Sequence, residues 1–177
     1  MKKGLIIFLL IIAFLISYFL QSNFFSWFNI AGVKPNLFVI LVLCIGLFAG
    51  RTTGSILGLV FGLLLDIFIG KKIGISGILL AAVGFSGGYL DKNFSKDSKI
   101  TIILMCIGAT VVYELASYLI QMAIWKFEPE FLALAKIITI EAFFNSILII
   151  IGYPLTKKAG YRIEETFKGT NILTRYF

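Results

Sequence analysis

Three acidic residues lie inside long apolar stretches of this 177-residue chain: Asp66, Glu114 and Glu141. Carboxyl groups in such surroundings can hold a cation, relay a proton or form hydrogen bonds between helices. A charge is costly in the middle of a membrane, and no basic residue lies at a comparable depth in these stretches. We therefore expect each of the three acids to be neutralised, hydrogen-bonded or in contact with a watery cavity.

Polar partners stand at helical spacing from two of these acids. Glu114, Tyr118 and Gln121 occupy positions i, i+4 and i+7, and Glu141 and Asn145 occupy positions i and i+4. Each set should lie on one face of its helix, and we expect both faces to point into the protein and toward each other. Hydrogen bonding that fixes helix packing is the favoured interpretation, while a polar binding cavity and a proton path stay open as alternatives.

The sequence lacks the residue sets that most catalytic and metal sites need. It has no His, and its two cysteines, Cys44 and Cys106, stand in apolar segments without metal-ligand spacing. No phosphate-binding loop is present. Two membrane acids on separate helices do not form an acid–base pair without a substrate between them. We expect no enzymatic activity, no cofactor and no bound metal.

The composition predicts an all-α integral membrane protein. Hydrophobic residues make up 59% of the chain and charged residues 14%, which is more apolar than soluble domains of this size. The alternation typical of barrel strands is absent, so helices are the expected spanning elements. The net charge of +7 then indicates basic cytoplasmic loops and lipid contact, and we expect no nucleic-acid binding.

The apolar runs predict six transmembrane helices in one domain at 1–155, followed by a polar cytoplasmic tail at 156–177. The connection between the second and third helices is placed at residues 51–53, and Pro154 is expected to end the sixth. The second helix is short for a bilayer. The predicted helices cover approximately residues 5–20, 37–49, 54–69, 75–90, 100–125 and 131–153.

The distribution of basic residues predicts the orientation of these helices. Six crossings place both termini on the same side of the membrane. With the N-terminus inside, eleven of the 16 basic residues fall on the cytoplasmic side. Because cytoplasmic loops are enriched in Lys and Arg, we expect both termini in the cytoplasm.

Glycines recur every fourth residue ahead of the first acid and lie on one face of the predicted third helix: Gly54, Gly58, Gly62 and then Asp66. Gly84 and Gly88 have the same spacing in the fourth helix. Glycine rows let neighbouring helices approach closely in a membrane, so Asp66 should face protein and not lipid. Packing between helices of the chain and a groove for a partner or ligand are compatible interpretations.

The motifs around this row resemble those of the rod shape-determining protein MreD family. They are Pro35-Asn36-Leu37 at the start of the second helix, Arg51 in a tight turn, and G-x-x-x-G-x-x-x-G-x-x-x-D followed by G-x-x-x-G-I-S-G-I-L-L. The resemblance covers roughly residues 31–153 and is strongest between 35 and 90.

This resemblance implies a non-catalytic scaffold in the inner membrane of a bacterium, within the machinery that elongates the cell wall. It implies a fold similar to the substrate-binding components of energy-coupling-factor transporters. It also implies direct contact with the membrane helix of MreC, in a wider complex with MreB, RodA and a class B penicillin-binding protein. On physical grounds we expect the MreC helix at the Gly54/Gly58/Gly62 face or at the Gly84/Gly88 face.

A transporter component of the energy-coupling-factor type is the alternative. The membrane acids and Gln121 would then line a cavity for a vitamin or metal. Those components resemble each other in small residues spaced along the first helix, whereas the first helix here has Ala13 among bulky neighbours. A carrier of lipid or of a cell-wall precursor also stays open.

Overall fold

The computed structural model describes residues 2–69, 73–91, 98–126 and 128–167. A π-helical turn at Leu20–Phe24 joins the first two helices into one continuous rod. No β-sheet forms among the described residues, so this part of the chain is all-helical, as its composition predicts. The helices are α1 (Lys2–Phe19), α2 (Phe25–Trp27), α3 (Leu37–Ala49), α4 (Arg51–Ile69), α5 (Ile75–Leu90), α6 (Lys99–Trp125) and α7 (Phe131–Phe167).

Four apolar stretches in the described residues are long enough to cross a membrane: Gly4–Trp27, Arg51–Ile69, Lys99–Trp125 and Phe131–Gly152. The helices α3 and α5 are equally apolar but contain only 13 and 16 residues. A spanning helix needs about 20 residues. The fold therefore supports a multi-pass membrane protein with four candidate spans and two shorter apolar helices in its described part.

The short helix α3 lies at the centre of the packed helices. Ten of its 13 residues are buried, which explains why its sequence is apolar on every side. It contacts α4, α5, α6, α7 and α1. By contrast, α1 exposes most of its large side chains, and Phe14 is its most deeply buried residue. The core is therefore built around α3, with α1 at the edge.

A single residue, Gly50, connects α3 to α4. Its φ of 91° is readily adopted by glycine. The Gly50 N–H donates to the Gly46 carbonyl at 3.0 Å, and the Gly50 carbonyl accepts from the Gly54 N–H at 2.9 Å. The expectation that residues 51–53 form this connection is wrong, because Gly50 completes both helix ends and α4 already begins at Arg51.

The helix α7 continues through Pro154 to Phe167. Proline removes one backbone hydrogen bond, but the part beyond it is held against α3. Phe48 fills the space beside Gly160, and its ring centroid lies 5.7 Å from that of Tyr161, edge to face. The expectation that Pro154 ends the last helix is therefore wrong. Residues 168–177 of the predicted tail lie outside the described residues.

Candidate functional site

The glycine row of α4 lies directly against α5. A side chain at Gly58 would meet the Leu80 carbonyl, and one at Gly62 would meet the backbone of Ser76 and Gly77. The two backbones are therefore in contact, with no side chain between them. This is the close approach that small residues allow between membrane helices.

The contact extends to a third helix at the opposite end of the row. A Cβ atom at Gly54 would lie 2.6 Å from the Gly46 Cα atom of α3 and from the Gly84 carbonyl oxygen of α5. A Cβ atom at Gly88 would meet the backbone at Arg51. Three helices thus converge where the chain turns at Gly50. We call the unit formed by α3, α4 and α5 the glycine-packed unit.

This packing corrects the expected position of a partner. Either the Gly54/Gly58/Gly62 face or the Gly84/Gly88 face is expected from sequence to accept the helix of a partner protein. In the structure each of these faces is filled by helices of the same chain, because α4 and α5 pack backbone to backbone. A partner helix has no room between them and would need another surface.

Asp66, at the end of the glycine row, caps the neighbouring helix. Its Oδ2 atom accepts hydrogen bonds from the backbone N–H groups of Gly74 at 2.8 Å and Ser76 at 3.2 Å, at the start of α5. Asp66 is 1% exposed, so it faces protein, as the glycine row predicts. The first N–H groups of a helix have no partner inside it, and a carboxylate also suits the positive end of the helix dipole.

The N-terminus of α3 is capped in the same manner by side chains from three places. The Asn36 side chain accepts from the Val39 N–H, and Gln21 Oε1 accepts from the Leu37 N–H at 3.0 Å. Asn145 Oδ1, from α7, accepts from the Asn36 N–H at 2.9 Å. Both short helices therefore have polar side chains from other segments at their N-terminal ends.

Asn145 also joins α7 to α6. It is completely buried, and its Nδ2 atom donates to Thr110 Oγ1 at 2.9 Å. The Thr110 hydroxyl in turn donates to the Cys106 carbonyl at 2.9 Å. One amide group therefore connects α3, α6 and α7, which makes Asn145 a structural junction.

Glu114 and Glu141 face each other between α6 and α7, as their spacing suggests. Glu141 is 5% exposed, and its polar neighbours are the side chains of Glu114, Asn145 and Asn36. Its Oε1 atom has no hydrogen-bond partner among the described residues. The two carboxyl groups are therefore neighbours across the contact between α6 and α7.

Gln121 does not join this cluster. It is exposed, and its Nε2 atom donates to Ser117 Oγ at 2.9 Å on the same helix. The Tyr118 hydroxyl accepts from the Glu130 N–H at 2.7 Å, near the loop that precedes α7. The expectation that the whole Glu114–Tyr118–Gln121 face points inward is therefore wrong, because Gln121 is exposed and the Tyr118 hydroxyl contacts backbone near the following loop.

The sequence patterns do not single out three polar residues near the Glu114–Glu141 pair. Gln21 and Thr110 make the contacts given above, and Tyr113 has the side chains of Ser76 and Asn36 as neighbours. Thr110 lies four residues before Glu114 and Tyr113 one residue before it. A search for polar residues on the helix face next to Glu114 would have found Thr110 and Tyr113. Only the fold brings Gln21 to α3.

Two apolar grooves lie on the outside of these helices. The α5/α6 groove has a volume of about 590 Å³ and no charged side chain in its described lining, which includes Leu79, Ala82, Ser86, Leu104, Gly108 and Val112. The α1/α3/α7 groove has a volume of about 420 Å³ and includes Leu5, Ala13, Cys44, Phe48, Thr156 and Arg162.

A metal site does not emerge from this arrangement. Among the described residues, no group of three or more His, Cys, Asp or Glu side chains is positioned to hold a metal ion. Of the three acids inside the apolar stretches, Asp66 caps α5, and Glu114 and Glu141 form a separate pair.

The comparison with protein families identifies the chain. The family model described as rod shape-determining protein MreD matches residues 1–159. The chain belongs to the MreD family. The match covers α1 to α6 and most of α7, so the geometry above is that of an MreD protein. Searches of curated proteins and of solved structures return no significant match.

Membership of the MreD family sets the role of this chain in outline. MreD proteins are shape-determining membrane proteins of a structural kind, not known as enzymes. The resemblance inferred from the glycine and Pro-Asn-Leu motifs is therefore confirmed. In this MreD chain Asp66 and Asn145 hold the ends of the two short helices.

Proposed function

We propose that this chain is a non-catalytic scaffold of the rod-shape machinery that binds MreC and helps control peptidoglycan synthesis. The observation that carries this proposal is the MreD family match over residues 1–159. We place the chain in the bacterial inner membrane with six crossings and both termini in the cytoplasm, on the basis of its basic-residue distribution. MreB, RodA and a class B penicillin-binding protein would belong to the wider complex.

The use of the buried polar groups supports a structural role. Asp66 Oδ2 and Asn145 Oδ1 both accept hydrogen bonds from backbone N–H groups at helix starts. Leaving such N–H groups without an acceptor should cost about 1–3 kcal/mol of stability. These side chains are therefore needed to keep α3 and α5 folded, which favours packing over a substrate cavity.

We propose that the MreC membrane helix lies in the α5/α6 groove. Gly108 lines this groove, and a Cβ atom there would meet nothing within 4 Å. Ala82 and Ser86 on the opposite wall are also small. Small residues on an open face allow a second helix to approach closely, whereas the Gly54/Gly58/Gly62 and Gly84/Gly88 faces are already filled.

The test is co-purification from native membranes in a mild detergent, with proteins identified by mass spectrometry. MreC and cell-wall synthases should be recovered with the tagged wild-type chain. The variant Gly108→Leu should reduce MreC recovery about tenfold, as expected for the loss of about 1.4 kcal/mol of binding. Both results would support the scaffold and its contact surface.

Gly152→Leu provides the matched control. A Cβ atom at Gly152 also meets nothing within 4 Å, but this residue lies on α7, outside the α5/α6 groove. The amount of MreC that co-purifies with the Gly152→Leu variant should equal the amount that co-purifies with the wild type. Equal loss in both variants would rule out the groove, and recovery of paired ATPases with a membrane coupling subunit would overturn the scaffold itself.

A further inference from the structure

The α1/α3/α7 groove is about as long as one membrane leaflet is thick. Its α1 wall runs from Leu5 to Ala13, which corresponds to about 12 Å at the helical rise per residue. Half of a hydrocarbon core of about 30 Å is about 15 Å. With α1 crossing the membrane, a groove of this length would span about one leaflet.

The walls of this groove differ in chemistry. The walls formed by α1 and α3 are apolar, whereas the α7 wall carries Thr156 and Arg162. Within residues 156–164, three basic residues stand against one acid, Glu164. The sequence also places two lysines directly before the α1 wall, at positions 2 and 3. Arg162 is the charged side chain in the described lining of the groove, and the neighbouring sequence is also basic.

A guanidinium group suits a phosphate ligand at this position. Arg162 is exposed and has five N–H donors, so an intramolecular contact of its side chain still leaves donors for a phosphate oxygen. Arginine pairs with phosphate through two parallel hydrogen bonds.

A charged residue in the lining distinguishes this groove from the α5/α6 groove. The α1/α3/α7 groove has a volume of about 420 Å³. An acyl chain is thin enough to enter it. The α5/α6 groove is larger and has no charged residue in its described lining, so it lacks this combination.

We propose that the α1/α3/α7 groove binds one anionic phospholipid, with an acyl chain against α1 and α3 and the phosphate beside Arg162. The lipid comes from the leaflet on the side of the chain's N-terminus. This site fixes the C-terminal part of α7 to the membrane surface. It is independent of partner binding, so the isolated chain is sufficient to test it.

The experiment is native mass spectrometry of the full-length chain in a mild detergent with equal amounts of phosphatidylglycerol and phosphatidylcholine of identical acyl chains. The wild type should retain phosphatidylglycerol in preference to phosphatidylcholine. Arg162→Gln should reduce phosphatidylglycerol retention about fivefold, the factor expected for one basic residue near an anionic surface. Arg162→Lys, which keeps the charge, should retain most of the preference and provides a folded comparison.

Two further variants separate this groove from other surfaces. Lys136→Gln removes one positive charge on α7 outside the groove and should leave the preference unchanged. Ala13→Leu narrows the groove and should reduce retention of both lipids. Equal retention of the two lipids by the wild type, equal effects of Arg162→Gln and Lys136→Gln, or full retention by Ala13→Leu would each overturn the proposal. If Arg162→Gln caused the loss of a bound protein and not of a bound lipid, the proposal would also be overturned.

Discussion

The glycine-packed unit and the α6–α7 pair hold their helices together by different means. In the glycine-packed unit, backbones of α4 and α5 touch, and a Cβ atom at Gly58 or Gly62 would meet main-chain atoms. Between α6 and α7, side chains make the contacts, through Asn145 and Thr110 at 2.9 Å and the facing acids Glu114 and Glu141. The first region depends on the absence of side chains and the second on their chemistry.

This difference has a physical origin in the membrane. Lipid tails are as apolar as leucine, so hydrophobic burial does not drive helices together there. Van der Waals contact between small residues and hydrogen bonds between polar residues are the remaining sources of stability. The chain uses one of these in each region. Backbone contact tolerates no added atoms, whereas a side-chain hydrogen bond tolerates replacements that keep the same atoms.

The largest expected effect is that of Gly58→Leu. A side chain there meets the Leu80 carbonyl, so α4 and α5 must separate. Overpacking costs about 1–3 kcal/mol, and more where the backbone has to move. We expect most of the variant to be lost from the monodisperse peak in size-exclusion chromatography in detergent.

Gly108→Leu is the control for this prediction. The same substitution at this open glycine of α6 should leave the size-exclusion profile unchanged, because nothing lies within 4 Å of its Cβ position. Equal loss of both variants would mean that leucine at any helical glycine prevents folding, and the distinction between the two regions would fail.

The intermediate effect is that of Asp66→Ala. It leaves the N–H groups of Gly74 and Ser76 without an acceptor, which should cost about 1–3 kcal/mol. The melting temperature in detergent should fall accordingly. Asp66→Asn keeps an acceptor oxygen and should lose less than half as much. A melting temperature of Asp66→Ala equal to that of the wild type would show that the cap contributes nothing.

The smallest effect is expected for Glu141→Gln. The amide has the same shape, and Glu141 Oε1 has no hydrogen-bond partner among the described residues. We expect a change in stability of less than about 1 kcal/mol, the size of one net hydrogen bond. Gln121→Leu, at an exposed position of α6, should also be neutral. If Glu141→Gln destabilised the protein more than Asp66→Ala, the acid pair would be the main support of the fold.

Part of this arrangement could be predicted from sequence. Four-residue spacing identifies a face that accepts a close neighbour, so the row ending at Asp66 correctly predicted tight packing and a buried acid. The same spacing does not say which helix the neighbour is. Gly84 and Gly88 show an equivalent pattern, and only the structure shows that the two rows pack against each other.

Other features depend on contacts between segments far apart in the chain. Gln21 and Asn145 meet at the start of α3 from opposite ends of the sequence, and no local pattern carries that information. The continuation of α7 past Pro154 also depends on tertiary packing, because Phe48 supports the helix beyond the missing hydrogen bond. Considered by itself, Pro154 predicts that the helix ends at this point.

The single-residue link at Gly50 has a consequence for how the protein is made. With 13 residues, α3 is too short to be retained across a bilayer as an independent segment. One residue also provides no loop that could hold α3 at the exit of the insertion machinery while α4 is still being synthesised. We therefore expect the two helices to enter the membrane together as one hairpin, with α3 held in place by its contact with α4.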